Sequence, residues 1–464
     1  MKITKLIVTL LAVFFIKTTF AQSCDCSTEF THIKDFMEQN YAGFKDKQAQ
    51  MTKAGYDKLV NEYLNYAKAL HSGEECLLII SQFLDHFKDS HVSIGSRFNA
   101  TKVDSAYLNQ RQIVNISDKQ YQDLLQSKGK EGIYYFNWDT AAYKIAVIKD
   151  ETPLHDYVGV LLNSNLPGWK KGVLKLEGKM QNDSSMKGVL YMRNQMPSPQ
   201  WFVFSKNTIY GDWQRVGTTR EKTNFTYVPV ASRKLSEKIL YIKISSFSPS
   251  NGNNIDSVFK VNADALKTMP YLVLDLRGNG GGSDYTFSPI LPYIYTDPIH
   301  NIGVDVLSTD ANIAGWTKEL DDKDMSEGNK NEIRGIIKQM ENGKGKWVSL
   351  GEDNVTSDYT KLPNPAKVVI LVDKGCASTT EQFLLFARQS SKVILMGQPT
   401  SGTLDYSNVI EAPFSCMPYV LRYSTTRSRR LDVGQGIDNV GIKPNKTLDP
   451  NDDWIKAAVA ELEK

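Results

Sequence analysis

Val368-Val369-Ile370-Leu371-Val372 runs through Asp373 into Lys374-Gly375-Cys376-Ala377-Ser378-Thr379-Thr380-Glu381-Gln382-Phe383. Five consecutive apolar residues, four of them β-branched, are the pattern of a strand buried on both faces. Small residues then break the run, and Phe383, Leu384, Phe386 and Ala387 line one helical face. The pattern predicts a strand over 367–372, a tight turn, and a helix over 378–389 with a serine at its start. Roughly a hundred residues earlier, Val273-Leu274-Asp275-Leu276-Arg277-Gly278-Asn279-Gly280-Gly281-Gly282 repeats the theme: a buried strand, here over 271–276, ended by a glycine loop. Strands are also predicted over 239–244 and 392–396, with a helix between 256 and 269. This alternation is the βαβ pattern of a mostly parallel sheet and makes the fold class α/β.

The two loops carry chemical potential. A serine at a helix N-terminus meets unsatisfied N–H groups and the positive end of the helix dipole, which favour a developing negative charge. Its plain alternative is an N-cap that bonds the amide of Glu381. Consecutive glycines permit positive φ and close approach of a substrate backbone. Their loop has three readings: an oxyanion hole, a phosphate cradle or a tight turn. The phosphate reading lacks the Gly-Lys-Ser/Thr ending and the dinucleotide spacing. A nucleophile and an oxyanion hole are the two parts that acyl transfer requires.

Four segments in order resemble the C-terminal processing and tricorn-type serine peptidases. They are the Asp275–Gly282 loop, Cys376-Ala377-Ser378-Thr379-Thr380-Glu381, Gly397-Gln398-Pro399-Thr400-Ser401-Gly402-Thr403, and Gly436-Ile437-Asp438-Asn439-Val440-Gly441-Ile442-Lys443-Pro444-Asn445. Together they cover roughly 237–450. The resemblance implies a crotonase-like core and peptide-bond hydrolysis through Ser378. It also implies an oxyanion hole made by the amides of Gly280 (or Gly281) and Thr379, with Glu381 ordering the turn. One departure matters. The processing branch has a lysine base where this chain has Thr403. Phe87-Lys88-Asp89-Ser90-His91-Val92 instead is similar to the Asp-x-His segment of the tricorn-like branch. That similarity implies His91 as general base, Ser90 as support to the imidazole or the oxyanion site, and Asp438 as the acid on the other ring nitrogen, with Asp405 as runner-up. An imidazole suits the role because it titrates near neutrality. No cofactor or metal is implied, and no Cys/His spacing resembles a zinc site. The partner implied is a peptide or protein substrate.

Around this core the pattern changes twice. Ile33, Phe36, Met37, Tyr41 and Phe44, then Leu59, Tyr63, Tyr66 and Leu70, then Leu77, Ile80, Phe83, Leu84 and Phe87 recur at helical spacing, which predicts an N-terminal helical cap. Between 132 and 230, short β-branched and aromatic runs (133–136, 143–148, 157–162, 188–192) alternate with Asp, Asn, Gly and Pro. They predict an inserted antiparallel β domain whose aromatics form its own core or line a binding face. A polar stretch over 308–360 separates the two key strands. The organisation expected is 1–21 export signal, 22–95 helical region, 96–235 inserted β-rich domain and 236–464 peptidase core. No internal repeat is found.

Lys2 and Lys5, an apolar run from Leu6 to Ile16 and the site Thr19-Phe20-Ala21 form an export signal too short for a membrane span. Its loss would leave Gln22 first and lower the formal charge from +3 to 0 by removing Lys2, Lys5 and Lys17. Neither a basic stripe nor a tract suits a nucleic-acid backbone, and no stable membrane insertion is expected after cleavage. Lipid attachment at Cys24 is disfavoured by the poor match of Ala21-Gln22-Ser23. Two disulfide pairings are open in an exported chain: Cys24 or Cys26 with Cys76, and Cys376 with Cys416. Two other functions remain open. A peptide- or glycan-binding protein could keep this fold without chemistry, and an acyl-CoA enzyme would use similar glycine-loop amides. Export counts against the latter.

Overall fold

A computed structural model of the 464-residue chain describes residues 25–70, 73–97, 111, 113–210, 212–218, 228–323, 325–353, 355–357 and 359–464. The expected export signal and Cys24 lie outside these residues. The first described elements are four helices, α1 (Cys26–Asn40), α2 (Phe44–Met51), α3 (Lys53–Ala69) and α4 (Gly73–Asp85). Their apolar stripes, including Phe30, Ile33, Met37, Tyr63, Leu77, Ile80 and Phe83, are buried together. The Cys26–Cys76 disulfide joins α1 to α4. A short strand, β1 (Ser93–Ser96), follows.

Next comes the β-rich part. Behind helix α5 (Asp118–Gln126) run β2 (Gly132–Phe136), β3 (Lys144–Lys149), β4 (Tyr157–Asn163), β5 (Leu174–Asn182), β6 (Ser185–Tyr191), β7 (Pro197–Val203), β8 (Thr208–Ile209) and β9 (Trp213–Arg215). They form one eight-stranded sheet in the order β7-β6-β5-β4-β3-β2-β9-β8, antiparallel throughout. Its Tyr134, Tyr143, Trp169, Tyr191 and Trp213 are buried, so most of the aromatics serve its own core, while Trp138 and Trp201 stand exposed.

The C-terminal half is built on a six-stranded sheet. Its strands are β10 (Val230–Lys234), β11 (Ile239–Ile244), β12 (Tyr271–Asp275), β17 (Lys367–Val372), β18 (Val393–Gly397) and β21 (Lys446–Thr447), side by side in that order. All neighbours pair in parallel except β10 with β11. Leu272–Leu274 and Val368–Val372 are fully buried, as strands covered on both faces must be. Helices α6 (Gly252–Val261) and α7 (Ala263–Thr268) pack on one face with helix α10 (Thr379–Ala387), which follows Ser378. Helix α11 (Trp454–Leu462) covers the other.

Between β12 and β17 lie β13 (Ile299–Asn301), β14 (Val304–Leu307), helices α8 (Asp310–Glu319) and α9 (Glu327–Asn342), β15 (Trp347–Ser349) and β16 (Val355–Ser357). The polar stretch over 308–360 is therefore structured. After β18, a long hairpin of β19 (Tyr406–Pro413) and β20 (Tyr419–Ser428) anchors a second sheet, in which β20 pairs with β1, β14 and β19. This sheet cuts across the expected divisions. The boundary at 95 falls inside β1, and β10, placed before 235, belongs to the core sheet.

Candidate active site

The glycine loop after β12 is pinned by Asn279. This buried side chain donates to the Ile244 carbonyl (3.2 Å) and accepts from the amides of Phe247 (3.2 Å) and Gly281 (3.0 Å). Its own carbonyl accepts from the Ala377 amide (3.2 Å) and the Thr380 hydroxyl (2.9 Å), so the loop is fastened to the Ser378 turn. Gly281 has φ +99°, and a Cβ there would stand 2.7 Å from the Ala377 carbonyl and 2.9 Å from Ser378 Cβ. Only glycine lets the loop approach this closely. The Asp275 carboxylate, which begins the motif, is held by Arg277 (2.6 Å) and the Tyr241 hydroxyl (2.8 Å).

Ser378 takes φ +55°, a conformation costly for a residue with a Cβ and one found at sites where the surroundings impose it. Those surroundings are dense. The Ser378 amide donates to the Thr403 carbonyl (3.1 Å) and to Glu381 Oε2 (3.2 Å). Glu381 is fully buried and also accepts from the Thr400 hydroxyl (2.5 Å) and the amides of Gly402 (2.7 Å) and Thr403 (2.8 Å). One carboxylate thus clamps the turn to the following loop. Thr403, where a lysine base would sit, uses its hydroxyl on Ser401 (3.0 Å).

His91 arrives from the front of the chain. It lies in the turn between α4 and β1, and β1 is held by β20. The first residue of the partner strand β19 is Tyr406, whose carbonyl accepts from His91 Nδ1 at 2.7 Å. That bond places the ring proton on Nδ1 and leaves Nε2 as an acceptor, 3.2 Å from Ser378 Oγ. The turn is stiffened by Asp89, whose Oδ1 accepts the His91 amide (2.9 Å) and whose Oδ2 accepts the Tyr41 hydroxyl (2.7 Å). Asp89 Oδ1 is 3.9 Å from His91 Nδ1.

Ser378, His91, Gly280 and Thr379 meet in one cleft of about 730 Å3. Among the described residues, the Gly280 and Thr379 amides have no acceptor, whereas the Gly281 amide is taken by Asn279. Of the two glycines predicted for an oxyanion site, Gly280 therefore keeps the free donor.

Three predicted positions fall elsewhere. Asp438 does not touch the imidazole: its Oδ1 accepts the amides of Leu404 (2.9 Å) and Asp405 (2.8 Å), and Lys47 lies 3.8 Å from its Oδ2. Asp405 returns the arrangement, its Oδ2 accepting the amides of Ile437 (2.5 Å) and Asp438 (2.8 Å). The two carboxylates staple two loops by satisfying four buried amides, a task that turns them from the ring. Burial, reinforced by the nearby Asp89 carboxylate, pushes Asp438 up to about 6. Ser90 is exposed and lines a separate cleft of about 330 Å3 between α4, β1 and the eight-stranded sheet. The Cys376–Cys416 pairing is not formed: Cys376 is a buried free thiol, raised by that burial, and Cys416 is in a disulfide. The ring acceptor that sequence reasoning missed is a main-chain carbonyl, which no side-chain motif can announce. Asp89 was visible within the quoted segment, and its position two residues before the histidine was its only signal.

The family model for peptidase family S41 matches residues 238–448. Curated protein sequences give no match. Among solved structures, mature CPAF complexed with lactacystin is similar at 11% identity and TM-score 0.51, over 95% of this chain and 97% of that one. The photosystem II D1 C-terminal processing protease aligns at 13% identity and TM-score 0.42, over 95% and 98%. The tricorn protease aligns at 12% and 0.43, over 95% of this chain and 37% of its own. Each of these likenesses is to the fold.

Proposed function

We propose that the chain, whose residues 238–448 match the model of peptidase family S41, is a serine-type hydrolase that cleaves peptide bonds with Ser378 as nucleophile and His91 as general base. The observation that carries the reading is the imidazole held between the Tyr406 carbonyl and Ser378 Oγ. Ser378 Oγ attacks the scissile carbonyl carbon while its proton passes to His91 Nε2. The carbonyl oxygen becomes an oxyanion beside the Gly280 and Thr379 amides, which are aligned before the charge forms; one such donor typically contributes about 3–4 kcal/mol to the barrier. Collapse breaks the C–N bond, and His91 returns the proton to the leaving amine. A water, deprotonated by the same nitrogen, then hydrolyses the acyl-enzyme. During each protonated interval the imidazolium is supported by a carbonyl dipole, with the Asp89 carboxylate behind it, rather than by a directly bonded acid.

Ser378→Ala and His91→Ala are each expected to lower kcat by at least about 10³-fold on any peptide the parent cleaves. A fluorophosphonate is expected to label the parent at Ser378. Undiminished hydrolysis by Ser378→Ala would refute the assignment, and binding without labelling would point to a receptor. We also infer export through residues 1–21. Among the described residues no helix is long and apolar enough to cross a membrane.

A further inference from the structure

We propose that the Ser378 cleft selects peptides with a cationic side chain beside the scissile bond, and that Asp284 is the specificity-determining carboxylate. The proposal rests on the peptidase reading above. The only ionisable groups among the described lining residues are His91, Asp284 and Glu319; neither lysine nor arginine reaches the wall. Asp284 follows the glycine loop by two residues and lies against Thr379, the neighbour of the nucleophile, so its charge sits within one side chain of the reacting centre. Asp284 is exposed to solvent where it lines the cleft. Partial desolvation of its carboxyl group raises its pKa, and the Thr379 side chain and the Arg430 charge only partly offset the effect. Arg430 is committed elsewhere, 3.5 Å from Asp405 and from Gln382. Among the described residues Asp284 makes no ion pair, so a cation from a substrate would be its first full partner.

The rest of the cleft suits such a side chain. Ile302, Val304, Leu350, Phe386, Leu404 and Val409 provide apolar walls along which the methylenes of lysine or arginine can lie while the charged end reaches a carboxylate. Glu319, at the end of α8, gives the cleft a second negative charge. The same field disfavours a free C-terminal carboxylate in this position.

The test separates binding from chemistry. The Ser378→Ala protein is titrated by fluorescence anisotropy with peptide pairs that differ only in arginine against citrulline, placed on either side of the scissile bond. The arginine peptide is expected to bind about tenfold more tightly in one of the two positions. Adding Asp284→Asn is expected to bring the ratio close to one, and adding Asp284→Lys to favour glutamate over glutamine peptides; thermal unfolding verifies that both variants are folded. A ratio near one with Asp284 intact, or a preference that survives both substitutions, overturns the proposal. Cleavage by the parent is scored separately: absence of Ser378-dependent turnover on every peptide refutes the peptidase reading, while the binding ratio still decides the selectivity.

Discussion

At the scale of single residues, the site depends on carboxylates whose duties are set by which amides they face. Asp438 is buried and held up at about 6, so the folded chain binds this proton more tightly than the unfolded chain, whose aspartate titrates near 3.8. Its contribution to stability is therefore full below about pH 4 and is lost as pH rises through about 6. Asp438→Asn keeps an oxygen for the Leu404 and Asp405 amides but cannot ionise. Relative to the parent, the variant is expected to gain stability, on the order of 2 kcal/mol, between pH 4 and pH 7. Urea unfolding at both pH values measures this, and a difference independent of pH would show that Asp438 titrates normally.

At the scale of elements, the Ser378 turn is a junction between helix α10 and the loop after β18, and Glu381 is the joint. Four donors converge on its carboxylate. Glu381→Ala leaves two buried amides without an acceptor and is expected to cost about 3 kcal/mol of stability. Because the Thr403 carbonyl holds the Ser378 amide, fluorophosphonate labelling is expected to slow as well. Glu381→Gln retains one acceptor oxygen and should fall between parent and alanine variant. A denaturation midpoint unchanged in Glu381→Ala would mean that the turn is held by the Asn279 contacts alone.

At the scale of the whole molecule, the proposed reaction is assembled from parts far apart in the chain. The helical cap brings His91, the hairpin β19–β20 fixes its outer nitrogen and the parallel sheet presents Ser378. Glu29 of α1 accepts the amides of Ser415 and Cys416 at the tip of that hairpin, so the cap is clasped to the sheet that orients the ring. The disulfides Cys26–Cys76 and that of Cys416 suit an oxidising compartment. Export predicts that the mature protein begins at Gln22. It also predicts that alkylation under denaturing, non-reducing conditions modifies Cys376 and spares Cys26, Cys76 and Cys416. Cytoplasmic recovery of a chain that keeps Met1 and has alkylatable Cys26 and Cys76 would contradict it.

Local patterns were sufficient for the elements that hold the proposed nucleophile and oxyanion site. Continuous apolar runs at 271–274 and 368–372, glycines after the first and small residues after the second specify buried strands and their loops, because strand burial and turn conformation are written in neighbouring side chains. The Ser378 turn and the glycine loop were legible for that reason, whereas the His91 segment was singled out by its resemblance to a family motif. Sequence alone could not locate the acceptor on His91 Nδ1, the carboxylate pair that staples two loops, or Asp284 in the cleft wall. It also divided the chain at 95, through a strand whose partner begins more than 300 residues later. These features are contacts between distant segments, made by backbone carbonyls and by hydrogen-bond demands that exist only once the sheets have packed, and tertiary structure alone decides them.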